Sequence, residues 1–214
     1  MKKDFSCAIF DLDGTLLNSC HVWEEIDREF LRKRNIPITE EFEREIKLHT
    51  FETGSVYVVE KYGLNETPQQ VMKEWYDMAI VEYANTIDLK PNAAKYLRQL
   101  KNNGIKLSVA TSADKVLFEP CLKRNGIYEL FDCFTQTSEV KRGKRFPDVY
   151  LKAAEKCGCD VDECVVFEDI LSAVKSSKSG GFYTVAVYDD ISKKDWNKIM
   201  QVSDYYVYDY GDIM

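Results

Sequence analysis

The chain has 214 residues, 45% hydrophobic and 30% charged, with 29 Lys and Arg against 36 Asp and Glu for a formal net charge of −7. That mixture excludes a disordered chain, a collagen and a coiled coil. The negative balance argues against nucleic acid or an anionic membrane as the main partner, and no run approaches the roughly 18 apolar residues of a membrane span.

In chain order, Ser6-Cys7-Ala8-Ile9-Phe10 is a short apolar run ending at a carboxylate, the pattern of a buried strand. From Val22 the spacing turns helical, with Val22, Trp23, Ile26, Phe30 and Leu31 on one stripe until Ile36-Pro37 breaks it. Thr39 reads as the N-cap of a helix through Phe42, Ile46 and His49; Val56–Tyr62 and Pro68–Thr86 read as two more. His49, Thr50, Phe51 and Glu52 interrupt this pattern and are expected to form a loop, with Gly54 in a capping turn or as a flexible point. Trp23, Phe30, Phe42, Trp75 and Tyr83 are expected in the core of the helical block by ordinary burial preference. After Leu89-Lys90-Pro91 strands and helices alternate: a helix from Ala93 closed by Gly104, a strand at Ile105–Ala110, and a helix bracketed by Pro120 and Gly126. An extended piece follows at Phe134, a helix from Pro147, strands at Cys164–Phe167 and Tyr183–Val187, a helix around Trp196 and a final run at Tyr205–Tyr208. Such alternation implies a parallel sheet covered on both faces, with the helical block inserted after the first strand.

The seven cysteines, Cys7, Cys20, Cys121, Cys133, Cys157, Cys159 and Cys164, are odd in number and scattered. The start MKKDFSCAIFDLDG is too short in its apolar run for a signal peptide. Both point to a reducing cytoplasm. Cys157-Gly-Cys159…Cys164 lacks the paired spacing of a structural zinc site, and neither His21 nor His49 is near it in sequence.

Polar residues at the carboxyl ends of parallel strands line the ligand crevice of such a sheet. Asp11-Leu12-Asp13-Gly14-Thr15 follows the first strand directly, so a turn there aims two carboxylates at one small volume; alone, Asp-Gly is ordinary turn chemistry. Thr111 and Ser112 end the second strand, where a hydroxyl and backbone amides suit a phosphate oxygen or simply cap the next helix. Lys144 precedes the helix start at Pro147-Asp148, and Glu168-Asp169 follows the apolar strand that ends at Phe167.

Taken in this order, DLDGTLLNS, the strand-end Thr111, Lys144-x-x-Pro147-Asp148 and Glu168-Asp169 resemble the haloacid dehalogenase superfamily of phosphohydrolases over essentially the whole chain. The resemblance implies a Rossmann-like, doubly wound parallel α/β core formed by 1–17 and 88–214, with residues 18–87 as an inserted α-helical cap of the C1 type seen in β-phosphoglucomutase-like enzymes. It implies Asp11 as nucleophile and Asp13 as general acid and base. Gly14, Thr111, Ser112 and Lys144 would hold the phosphoryl group, and Asp11, the Asp13 carbonyl, Glu168 and Asp169 would bind Mg²⁺. Two stretches depart from the usual motifs: Glu168-Asp169 is followed by Ile170-Leu171-Ser172-Ala173 rather than Ser-x-x-Gly, and Arg145-Phe146 interrupts the usual Lys-Pro-x-Pro-Asp. Four carboxylates beside a bound phosphate repel one another unless cations offset them, and Mg²⁺ with Lys144 supplies that charge.

The implied function is a Mg²⁺-dependent phosphatase of a small phosphorylated metabolite, monomeric or weakly oligomeric. The second acid, Asp13, favours phosphate esters, because halide departure needs no proton. A sugar-phosphate mutase is the alternative, although Leu48–Glu60 contains no Lys or Arg for a second phosphate, and Arg44 and Lys47 are the nearest upstream cations. A catalytically silent binding protein is disfavoured because every reactive position is filled.

Overall fold

The structure, a computed structural model, describes residues 4–46 and 48–214. The basic start Met1–Lys3 and Lys47 lie outside the described residues. The chain folds as two compact units, residues 1–20 with 86–214 and residues 21–85.

The larger unit is a six-stranded, wholly parallel sheet. Its strands are β1 (Cys7–Phe10), β2 (Lys106–Thr111), β3 (Cys133–Gln136), β4 (Cys164–Glu168), β5 (Tyr183–Val187) and β6 (Tyr205–Val207), in the order β3-β2-β1-β4-β5-β6. β1 and β4 are buried along their whole length, which is why they read as unbroken apolar runs. The chain leaves β1 on one side toward β2 and returns on the other at β4, so the order reverses beside β1. That reversal opens a crevice at the carboxyl ends of β1, β2 and β4.

Side chains alternate across the sheet. Cys7 and Ile9 join Val166 beneath helix α7 (Asp148–Cys157), whose Val149, Tyr150, Ala153 and Ala154 complete that core. On the other face Phe10 stacks on Phe167 with ring centroids 4.4 Å apart, and Tyr96 stacks on Tyr210 at 5.5 Å. The remaining helices of this unit are α5 (Ala93–Asn102), α6 (Lys115–Arg124), α8 (Leu171–Ser179) and α9 (Trp196–Val202).

Pro120 does not open α6, as expected from its sequence, but sits inside it. The helix starts at Lys115 after Asp114, and the proline removes one bond to the carbonyl of Val116, a residue exposed to water.

The second unit is helical, with α1 (Val22–Lys33), α2 (Glu40–Ile46), α3 (Phe51–Tyr62) and α4 (Pro68–Asn85). Thr39 caps α2 by accepting from the Phe42 amide, but the helix stops at Ile46, short of His49. Of the loop expected at His49–Glu52, His49 and Thr50 lie between helices, but Phe51 and Glu52 are helical: Thr50 and Thr53 cap one another reciprocally, so α3 begins at Phe51. Gly54 is therefore neither hinge nor cap. It is a buried helical position where an added Cβ would meet Ile46 Cδ1 at 3.3 Å and Trp75 Cη2 at 3.7 Å. Phe30, Phe42, Trp75 and Tyr83 are buried, but Trp23 is 38% exposed and packs edge-on against Phe51. Val22 and Ile26 fill the inner stripe of α1, leaving Trp23 beside it.

The two chain crossings pair with one another inside the larger unit. Leu17 bridges Leu89, Asn18 donates to the Asp88 carbonyl and Lys90 to that of Leu16. This short ladder accounts for Cys20 and Thr86, rather than Leu17 and Asp88, marking the edges of the unit. Among the described residues no helix is long and apolar enough to cross a membrane.

Candidate active site

The turn after β1 winds around one acceptor: the amides of Thr15, Leu16 and Leu17 all donate to the Leu12 carbonyl. Gly14 makes this possible with φ of +78°, and a Cβ there would run into the Asp169 carboxylate. The Gly14 amide donates to the Leu17 carbonyl at 3.0 Å. What Gly14 contributes to this geometry is the close approach of the β1 and β4 loops.

That approach brings Asp11, Glu168 and Asp169 together, each offering a carboxylate oxygen within 4.8 Å of the others. All three are buried. Lys144 makes ion pairs with both Asp11 and Glu168, the latter at 2.7 Å. Burial alone would lower the Lys144 pKa, but the Asp11 and Glu168 charges hold it above its ordinary value. Burial, then the Asp11 charge, pushes Glu168 up to about 7 against the pull of Lys144 and Tyr150. Burial also drives Asp169 well above the usual carboxylate range, with Asp11 and Glu168 adding repulsion. One ammonium thus faces three carboxylates, and Glu168 Oε2 is buried without a hydrogen-bond partner. Hard oxygen donors converging with an unsatisfied buried atom fit a small divalent cation such as Mg²⁺.

Asp13 stands apart from the trio, its Oδ1 accepting from Ser19 Oγ at 2.7 Å. Thr111 is buried at the end of β2, where its Oγ1 accepts from the Ala113 amide and keeps its own proton to donate. Ser112 is exposed.

Five supporting residues escape a reading of the sequence. Thr15 donates to Asp169 Oδ1 at 3.2 Å, and Tyr150 donates to Glu168 Oε1 at 2.7 Å. Ser192 donates to the Asp169 carbonyl at 2.7 Å, and Tyr210 to the Thr15 carbonyl at 3.2 Å. Ser19 is the fifth. Thr15 and Ser19 belong to the DLDGTLLNS run, which is a signal in itself; Ser192 and Tyr210 carry no local signal.

Three buried carboxylates around a lysine, at the switch point of a doubly wound parallel sheet, make a site suited to a metal ion and an anionic substrate. The chain belongs to the haloacid dehalogenase-like hydrolase family, which it matches over residues 5–181. It is 29% identical over 188 residues to a bifunctional riboflavin kinase/FMN phosphatase of Arabidopsis thaliana, covering 87% of this chain and 49% of that protein. The chain therefore spans about half the length of that relative. It is 27% identical over 174 residues to a phosphorylated carbohydrates phosphatase of Thermotoga maritima, covering 81% of each. Its fold matches a Thermotoga maritima crystal structure provisionally assigned as a β-phosphoglucomutase, with a TM-score of 0.85, 24% identity and 94% of each chain covered.

Proposed function

We propose that this protein is a Mg²⁺-dependent phosphatase that releases phosphate from a small phosphorylated metabolite in the cytoplasm. The observation that carries this reading is the buried group of Asp11, Glu168 and Asp169 around the Lys144 ammonium. The phosphatases among its relatives support it.

Asp11 attacks phosphorus: the Asp11 oxygen–phosphorus bond forms as the ester oxygen leaves, giving a phosphorylated aspartate. Asp13, held by Ser19, gives the leaving oxygen its proton and then takes one from the water that cleaves the acyl phosphate. Lys144 and the Thr111 hydroxyl hold the transferred oxygens, and Ser112 adds a donor at the strand end. Asp11, Glu168, Asp169 and the Asp13 carbonyl would hold Mg²⁺, which would supply charge to offset the phosphoryl oxygens. Catalysis is then mostly positioning and electrostatics. The helical insertion, read from sequence as residues 18–87, is assigned the role of a C1-type cap that selects the metabolite.

The test is phosphate release from a panel of phosphorylated metabolites, in Mg²⁺ and in chelator. Turnover that needs Mg²⁺ supports the reading; full activity in chelator, or no turnover of any phosphate ester, removes it. The mutase reading shares the scaffold and has the β-phosphoglucomutase-like fold match in its favour. It predicts isomerised sugar phosphate with little free phosphate in the same assay.

A further inference from the structure

Asp169 is gripped from two sides by turns that belong to different strands. It follows β4, which lies between β1 and β5 in the sheet. From the β1 turn, the Thr15 hydroxyl donates to the Asp169 carboxylate at 3.2 Å. From the turn after β5, the Ser192 hydroxyl donates to the Asp169 main-chain carbonyl at 2.7 Å. The place of this carboxylate therefore depends on the separation of two turns whose strands do not pair.

Lys90 is bonded to both turns. Its amide donates to the Leu16 carbonyl of the β1 turn at 2.8 Å. Its ammonium reaches the other side, donating to the Tyr188 carbonyl at 2.7 Å and to Asp189 Oδ2 at 2.6 Å. Asp189 passes the constraint on. Its Oδ1 accepts from the Ile191 amide at 3.0 Å and its carbonyl from the Ser192 amide at 3.1 Å, which together wind the short turn Asp190–Ser192. Every link from the Lys90 ammonium to the Asp169 carbonyl is thus a hydrogen bond or one turn of backbone. The Lys90 and Asp189 side chains are only 12% and 5% exposed. Desolvation offsets much of the attraction in such a pair, so it adds little net stability. What it fixes is position.

We propose that Lys90 is a positioning residue for the metal site, setting the place of Asp169 relative to Asp11 and Glu168 through Asp189 and Ser192. The inference rests on the reading of Asp169 as a Mg²⁺ ligand. Mg²⁺ demands near-ideal octahedral geometry, so a ligand displaced by a loosened turn binds it poorly. Groups that hold a ligand from behind tune affinity for this reason. Lys90 does so at one remove, from a segment that sequence marks only as the Leu89-Lys90-Pro91 boundary before the alternating strands and helices.

The test reads Mg²⁺ binding without turnover, as the Mg²⁺ concentration that gives half of the metal-induced rise in melting temperature of the whole protein. Lys90→Met keeps the Leu16 bond and removes the ammonium. It should raise that midpoint about fivefold, the scale of coupling carried through packed, hydrogen-bonded side chains. Lys101→Met is the control: Lys101 also pairs with an aspartate that holds a backbone amide, Asp132 at Leu107, but at the amino end of β2. It should lower the melting temperature and leave the midpoint unchanged. Lys90→Met with Ser192→Ala should raise the midpoint by less than the product of the two single changes, because both act on one path. Where Lys90→Met fails to fold, Lys90→Met with Asp189→Asn removes the pair without leaving a buried charge unpaired, and the same shift is expected. A wild type whose melting ignores Mg²⁺ removes the metal reading itself, and the role of Lys90 with it. A wild-type response with an unmoved midpoint in the Lys90 variants, an equal shift in Lys101→Met, or simple multiplication with Ser192→Ala overturns the role of Lys90 alone.

Discussion

Asp11 is the residue on which the proposed chemistry turns, and an amide in its place is both a poor nucleophile and a weaker metal ligand. Asp11→Asn should cost about 4 kcal/mol or more of transition-state stabilisation, roughly a thousandfold in rate of phosphate release. Glu168 and Asp169 carry the pH dependence. Both are raised in the folded protein, Glu168 to about 7, so the metal-free fold holds protons that the unfolded chain has already lost. The Glu168 contribution is complete below the ordinary carboxylate pKa and is lost as pH climbs through about 7. The melting temperature without metal should therefore fall between about pH 5 and 8, and Mg²⁺ should raise it more at the upper end; an equal rise at both ends would contradict the assignment. Ser192→Ala removes one hydrogen bond from the Asp169 carbonyl, worth about 1 kcal/mol, and should weaken Mg²⁺ about fivefold in a melting titration. At this scale the cluster of Asp11, Lys144, Glu168 and Asp169 is legible in sequence because these residues sit at strand ends or before a helix start. Ser192 is not legible: its partner is 23 residues away, and nothing local distinguishes it from a surface serine.

Helices are legible by their stripes and easily misread at their ends. The start of α3 is hidden because Thr50 and Thr53 cap each other, a variant in which threonine replaces the acidic partner usual at the third position. Pro120 misleads because a proline signals a helix start by default, and only the register of α6 reveals one tolerated in the interior. Trp23 misleads because its stripe is narrower than its hydrophobicity suggests. Within the helical unit, the end of α1 is pinned by Arg34, whose guanidinium lies 3.6 Å from the Phe30 ring centroid and bonds both Glu66 and Glu74. A planar fork serves two carboxylates and a ring at once, which an ammonium cannot. Arg34→Lys should thus lower stability by about 1–3 kcal/mol in a denaturant titration, and a cost as small as that of an exposed Lys73→Arg change would show the network to be idle.

At the level of the whole molecule, parallel topology is legible from alternating strands and helices, and the insertion from the change of period after Val22. The edges of the insertion are not, because the ladder joining Leu16–Asn18 to Asp88–Lys90 is a pairing of two distant segments with no periodic signature. The acceptor of the phosphoryl group belongs to this scale too. Leu48–Glu60 has no fixed positive charge to hold a second phosphate, so a monophosphate substrate should yield one inorganic phosphate per alcohol released, with no stimulation by a bisphosphate. Steady interconversion of two sugar phosphates with little free phosphate would identify a mutase.

Tyr210 closes the loop that follows Asp11, yet it is 195 residues from the Thr15 carbonyl it holds and lies beyond the segment matched to the family. A ribosome makes the two in that order. The Asp11 turn emerges early with its strand and waits, unbraced, through the synthesis of everything else. Its neighbours Phe10 and Phe167 likewise lack the ring that packs beside them until residue 210 has appeared. A nascent chain stalled short of that point would display every reactive side chain of the site and still lack its last brace, so competence would arrive late and abruptly in translation rather than in step with chain length.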